Sequence, residues 1–176
     1  MNLLAISDLH LGHHANRKAL ESIGRRPKDW LILAGDIGET EAELGDAFAL
    51  LRRRFGRVIW VPGNHELWTT DDAPGSPQAT RGEARYLALV ALARSLGVVT
   101  PEDPYPIWRG NDRPIAVAPL FMLYDYSFRP NEIACADVVD WAAADGIMSA
   151  DETLLNPTPY PDRAAWCAAR IEKTAR

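Results

Sequence analysis

The sequence predicts an α/β protein built on a parallel sheet, and three observations carry that prediction. Three short runs rich in aliphatic and β-branched residues, "NLLAIS" (2–7), "WLILA" (30–34) and "RVIWV" (57–61), stand far enough apart for helical crossovers. Their apolarity is continuous rather than alternating, the pattern of strands covered on both faces. Each run also ends in a polar cluster: "SDLHLG" after the first, "GDIG" after the second and "GNHE" after the third. The carboxyl ends of parallel strands share one edge of the sheet, and ligand sites form there.

The elements follow in order. A short helix around residues 15–23 links the first two strands. A second places Leu44, Ala47, Phe48, Leu51 and Phe55 on one face and is stopped by Gly56. The resulting β-α-β-α-β series has right-handed crossovers. "TTDDAPGSPQATRG" (69–82), with its prolines and glycines, reads as a long polar loop. A third helix follows, with Tyr86, Leu89, Val90, Ala93 and Leu96 at helical spacing. The proline-rich "TPEDPYP" then leads to a further strand, "RPIAVAPL" (113–120). From residue 131 the chain is alanine-rich and helical, and its last helix carries Ala164, Cys167, Ala168 and Ile171 on one face.

Composition bounds the function. At 176 residues, 47% apolar and 24% charged, the chain has the size and make-up of one soluble globular domain. A net charge of −5 argues against a general nucleic-acid or membrane-surface binder, since both need a basic face. Arg52, Arg53, Arg54 and Arg57 form a local basic run, read as the solvated end of a helix. The start "MNLLAISDLHLG" lacks a basic region, and Asp8 interrupts its apolar stretch, so no signal peptide is expected. No stretch approaches the roughly 20 apolar residues of a membrane span. Cys135 and Cys167 do not make a disulfide framework or a zinc knuckle. The cytoplasm is the expected compartment.

The three strand-end clusters carry the chemistry. Asp8 and His10 are two apart, so in an extended segment both side chains would point to one side. With Asp36 and Asn64 they would bring two carboxylates, an imidazole and an amide to one crevice. Converging carboxylates repel unless one takes a proton or a cation sits between them. A mixed oxygen and nitrogen set without thiolate suits Mn²⁺, Fe, Zn²⁺ or Mg²⁺. Taken singly, "GD" is common turn chemistry, Asp8 a helix cap and His65 a hydrogen-bonded loop histidine. Taken jointly, D-x-H, G-D and G-N-H-E at three consecutive strand ends point to a metal centre.

With "DLH" (8–10), "GD" (35–36) and "GNHE" (63–66), the sequence resembles the calcineurin-like metallophosphoesterases. The resemblance implies a four-layer α/β/β/α sandwich and metal-dependent hydrolysis of phosphate mono- or diesters at a binuclear centre. It implies two divalent ions, with Mn favoured among Mn, Fe, Zn and Mg. Asp8 and His10 would bind the first ion, Asp36 would bridge both, and Asn64 would bind the second. His65 would be catalytic rather than a ligand, stabilising or protonating the leaving oxygen. In some branches an acidic residue three after the bridging Asp orients that imidazole. Glu39 stands at this offset, where it also reads as a helix N-terminal carboxylate. His13 and His14 either reach the substrate mouth or open a solvent-facing helix.

The resemblance also implies ligand histidines further along, in a lone-His motif and in G-H-x-H. All four histidines here lie at or before position 65. Asp125 and Asp137 sit in no matching motif. The expectation is that residues 1–176 are the N-terminal portion, roughly 60%, of a single metallophosphoesterase domain. A missing C-terminal part, or an assembly, would then supply ligands, and the second sheet would be incomplete. The competing reading is an inactive scaffold that keeps the fold for protein binding. An aspartyl-phosphate phosphotransferase would want D-x-D where His10 stands, and a dinucleotide site would want G-x-G-x-x-G. The phosphate-ester substrate is not specified by these motifs.

Overall fold

The computed structural model describes residues 1–69 and 80–175. Strands β1 (Leu3–Ile6), β2 (Arg26–Ala34) and β3 (Phe55–Val61) form a parallel sheet in the order β1-β2-β3, joined by helices α1 (His14–Ser22) and α2 (Glu41–Arg52). The register aligns Leu4 with Leu31 and Val58, and Ile6 with Leu33 and Trp60. These rows face Leu20 of α1 and Leu44, Ala47, Phe48 and Leu51 of α2 in one core cluster. Burying each of these leucine and phenylalanine side chains stabilises the fold by about 1.5–3 kcal/mol. Helix α2 starts sharply because Thr40 and Glu43 form a reciprocal capping box.

Several expectations need correction here. Helix α2 ends at Arg52, so Phe55 and Gly56 belong to β3 rather than to its apolar face and its stop. Gly56 is needed for close approach, since a Cβ there would lie 2.6 Å from the Pro27 carbonyl oxygen. The sheet is not covered on both faces throughout: Ala5 and Ala34 are exposed and Ile32 is half-buried. Only the middle of β3 is fully enclosed, where Val99 bridges to Ile59 in parallel. The arginine run is not merely solvated. Arg54 donates to the carbonyls of Leu20, Glu21 and Ile23, satisfying the end of α1.

Helix α3 (Gly82–Ser95) buries Tyr86, Leu89, Val90 and Ala93, as its spacing predicts. Most of the expected 69–82 loop lies outside the described residues. The run at 113–120 yields only β5 (Ile115–Ala116), paired antiparallel with β4 (Ile107–Trp108) in a separate two-stranded ladder. Pro114 and Pro119 flank it, and proline has no N–H for a ladder. Helices α4 (Val138–Ala144), α5 (Asp151–Leu154) and α6 (Arg163–Thr174) follow.

Helix α6 buries Trp166, Cys167 and Arg170, whereas Ala164, Ala168 and Ile171 of the expected face are exposed. A buried cation sets its rotation. The Arg170 guanidinium lies 4.9 Å from the Tyr86 ring centre and 4.8 Å from that of Phe121, and its Nη1 donates to Glu102 at 2.8 Å. Glu102 also accepts from the Tyr86 hydroxyl at 2.7 Å and from Lys173. Burial opposes ionisation of Glu102, but these donors outweigh it and hold its pKa at about 2. Its stabilisation is therefore complete above the ordinary glutamate value of 4.5 and lost as pH falls toward about 2. Acid unfolding followed by circular dichroism should lose up to about 3 kcal/mol of pH dependence in that window on Glu102→Gln.

Candidate metal centre

The loops after β1 and β2 are stitched together by their own backbones. The amide of Asp8 donates to the Gly35 carbonyl at 3.1 Å, that of His10 to Asp36 at 3.0 Å, and that of Leu11 to Ile37 at 2.9 Å. The 8–10 segment is not extended, contrary to the alternation argument. Asp8, His10 and Asp36 all have positive φ, at 55°, 40° and 54°. Such backbone costs on the order of 1–3 kcal/mol per residue and concentrates at functional sites. Asp and His are among the side chains that tolerate it best. Here it replaces strand alternation as the means of aiming side chains at the sheet edge.

Two glycines allow the second and third loops to touch. Gly35, at φ 86°, approaches so closely that a Cβ would lie 2.7 Å from the Gly63 nitrogen. A Cβ on Gly63 would lie 2.2 Å from the Asp36 carboxylate. The glycines of "GD" and "GNHE" are thus a matched pair, each small because of the other loop.

Glu66, to which the sequence assigns no task, is the clamp. Its fully buried carboxylate accepts from the backbone amides of Asp36 at 3.0 Å, Ile37 at 2.7 Å and Gly63 at 2.8 Å. Burial pushes its carboxyl above the ordinary range, opposed by these three donors. Arg85 of α3 adds a second tie, donating to the carbonyls of Glu66 and Glu39, each at 2.6 Å. Glu66 was recoverable only as the fourth member of "GNHE"; Arg85 carried no sequence signal.

The result brings His10, Asp36 and His65 together, with one ligand atom from each lying within 4.8 Å of the others. The His10 and His65 rings meet edge to face at 4.6 Å between centres. Asp36 also accepts from the His65 amide at 3.1 Å. The exposed Asp8 carboxylate stands outside that trio. Asn64 directs its Nδ2 to Asp151 at 2.8 Å, which leaves its carbonyl oxygen as the free donor atom. His65 holds Glu39 through Nδ1 at 3.1 Å and packs on Trp68, with ring centres 3.6 Å apart. A cleft of about 460 Å³ beside them is lined by His10, His13, Glu39, Thr40 and His65 among others. His13 therefore reaches the mouth, and His14 is exposed on α1.

A carboxylate and two imidazoles within this reach of one another fit a divalent cation of intermediate hardness. With Nδ1 engaged by a carboxylate, His65 presents Nε2 to the cleft chemistry as either ligand or proton carrier. Among the described residues no helix is long and apolar enough to cross a membrane.

Comparison with known proteins agrees with this architecture. The curated acyl-carrier-protein phosphodiesterase PptH of Mycobacterium tuberculosis is 48% identical over 174 residues, which are 98% of this chain and 53% of that protein. The crystal structure of phosphopantetheinyl hydrolase (PptH) from Mycobacterium tuberculosis matches with a TM-score of 0.91 at 47% identity, covering 99% of this chain and 62% of that one. The chain spans about half the length of the curated relative it matches. The sequence profile of the calcineurin-like phosphoesterases matches residues 1–147, and the mixed α/β fold is theirs. The chain belongs to the calcineurin-like phosphoesterase family.

Proposed function

We propose that the protein hydrolyses a phosphodiester at a binuclear metal centre, and that the ester is the phosphopantetheinyl group carried by an acyl carrier protein. The observation that carries the reading is the convergence of His10, Asp36 and His65 at the carboxyl edge of the sheet. The substrate class rests on the 48% identity to an acyl-carrier-protein phosphodiesterase. Asp8 and His10 would hold one divalent ion, Asn64 would hold the other through its carbonyl oxygen, and Asp36 would serve both. Bound ions supply Lewis-acid activation of water and charge neutralisation on the phosphoryl oxygens.

The remaining work falls to side chains. In hydrolysis, water oxygen bonds to phosphorus while the bond to the carrier oxygen breaks. An alkoxide is a poor leaving group, so that oxygen needs a proton as it departs. His65, carrying a proton on each ring nitrogen, supplies it from Nε2 and keeps the Nδ1 proton that Glu39 accepts. Glu39 is mostly exposed, so its ion pair contributes little to stability. Glu39→Ala is therefore expected to lower kcat about 10–100-fold with KM nearly unchanged. Steady-state kinetics beside a melting curve checks the pair of effects. A raised KM with intact kcat would place Glu39 in binding instead.

Four side chains supply fewer donors than two four- to six-coordinate ions take. The 176-residue chain alone is thus expected to bind Mn²⁺ weakly and to turn over slowly or not at all. The deciding experiment incubates the product of the native gene with Mn²⁺ and holo-acyl carrier protein, read by intact mass. Loss of the phosphopantetheinyl mass, stopped by Asp36→Ala, is the expected result. Full retention with Mn²⁺, Zn²⁺ and Mg²⁺ alike would refute the substrate.

A further inference from the structure

Asp151 lies on the single turn α5, 87 residues beyond Asn64, yet its carboxylate is 4% exposed and sits beneath the "GNHE" loop. Its Oδ1 accepts from Asn64 Nδ2 at 2.8 Å and from Trp68 Nε1 at 2.5 Å, and its Oδ2 from the Tyr124 hydroxyl at 2.5 Å. The backbone supports the same docking: the Thr69 amide donates to the Leu154 carbonyl at 2.9 Å, and Trp68 bridges to Leu155. A buried carboxylate with these donors already has its hydrogen bonds satisfied.

We infer that Asp151 is a positioning residue for the metal centre, selecting the amide orientation in which Asn64 presents oxygen and seating Trp68 against His65. The inference rests on the reading of Asn64 as a metal ligand given above. The physical reason is the donor inventory. An ionised carboxylate only accepts, so it faces the NH₂ half of an amide and never the carbonyl half. The amide nitrogen of asparagine has no lone pair to give a cation. An asparagine free to rotate by 180° about its last bond would spend part of its time presenting that NH₂ to the ion. Bonding Nδ2 to Asp151 removes the unproductive orientation before the ion arrives.

The second arm acts on the imidazole. Trp68 is held at its indole N–H by the same Oδ1, and its ring lies 3.6 Å from that of His65, inclined at 36°. Glu39 grips Nδ1 at 3.1 Å. The rotation of His65 is thereby set by two contacts. One carboxylate outside every motif in the sequence thus orients two consecutive residues of the third motif.

The test uses the 176-residue chain with Asp151→Asn, Asp151→Leu, Asn64→Ala and the double variant Asp151→Leu/Asn64→Ala. Asparagine at 151 keeps an accepting oxygen toward Asn64 and Trp68 and turns its NH₂ toward the Tyr124 oxygen, so it should conserve the geometry. Leucine has no acceptor. Mn²⁺ titration followed by electron paramagnetic resonance should show affinity about 10–100-fold lower in Asp151→Leu and within a few-fold of wild type in Asp151→Asn. Asp151→Leu should cost little further in the Asn64→Ala background, because the two act through one contact. A purely structural role would instead add its full loss in both backgrounds, and that outcome overturns the inference.

A metal-free readout stands beside it. The Asn64 side-chain amide protons of the wild type should exchange slowly in nuclear magnetic resonance spectra. Exchange at the rate of a solvent-exposed amide overturns the inference without any variant having to fold. If Asn64→Ala weakens Mn²⁺ binding and Asp151→Leu does not, the inference fails while the metal reading stands. If the wild type and Asn64→Ala bind Mn²⁺ alike, the metal reading of Asn64 fails and takes the inference with it.

Discussion

In the product of the native gene, Asp36→Asn is expected to reduce turnover of a phosphodiester substrate by more than about 1,000-fold while leaving the fold intact. The residue sits at φ 54°, a conformation asparagine tolerates as readily as aspartate. Its Oδ1 would still accept from the His65 amide, now at 3.1 Å, so the contact between the second and third loops survives. What disappears is the negative charge between His10 and His65, and the second oxygen becomes an NH₂ group that repels a cation. Melting temperature and kinetics measured on one preparation separate the two effects. Turnover within tenfold of wild type would mean that the Asp36 carboxylate is not needed for the reaction.

Glu66→Ala should act in the opposite way, through stability first. Three backbone N–H groups, those of Asp36, Ile37 and Gly63, would lose their acceptor inside the protein. The buried Ile37 amide costs about 1–3 kcal/mol when orphaned and the half-buried Asp36 and Gly63 amides add less each, so the loss should be about 3 kcal/mol. For a domain of this size that corresponds to a melting temperature lower by about 6–12 °C. Glu66→Gln keeps one acceptor oxygen but turns an NH₂ toward either Ile37 or the Asp36 and Gly63 pair, so it should fall between wild type and alanine. Calorimetry on the three proteins gives the order. Equal stability of wild type and Glu66→Ala would mean that the loops hold together without the clamp.

These two residues also show what a sequence can and cannot reveal. The strand-end motifs announce that Asp36, His10 and His65 share an edge, because parallel topology and polar clusters are both local patterns. The faces of α2 and α3 are equally legible, since Leu44, Phe48, Tyr86 and Leu89 recur at helical spacing. The left-handed backbone at Asp8, His10 and Asp36 is not, because it arises from the meeting of loops rather than from any loop alone. Asp151 lies 87 residues from the amide it holds, in a "DET" turn that resembles any solvated helix start.

The face of α6 was obscured for a related reason. Periodicity counts arginine as polar, but Arg170 is 4% exposed and stacked on Tyr86 and Phe121. A cation can occupy a core position when aromatic faces and a carboxylate replace its water. The strand expected at 113–120 failed because apolar composition alone does not supply a partner for each backbone group. Its prolines limit the ladder to Ile115 and Ala116.

The most direct test of the central claim is anomalous diffraction at the manganese edge from crystals of the chain grown with saturating Mn²⁺. A peak bonded to a nitrogen of His10 and to the Asp36 carboxylate is expected, absent from Asp36→Asn crystals grown alongside. A peak held by other residues, or none beside Asp36 at saturation, would contradict it.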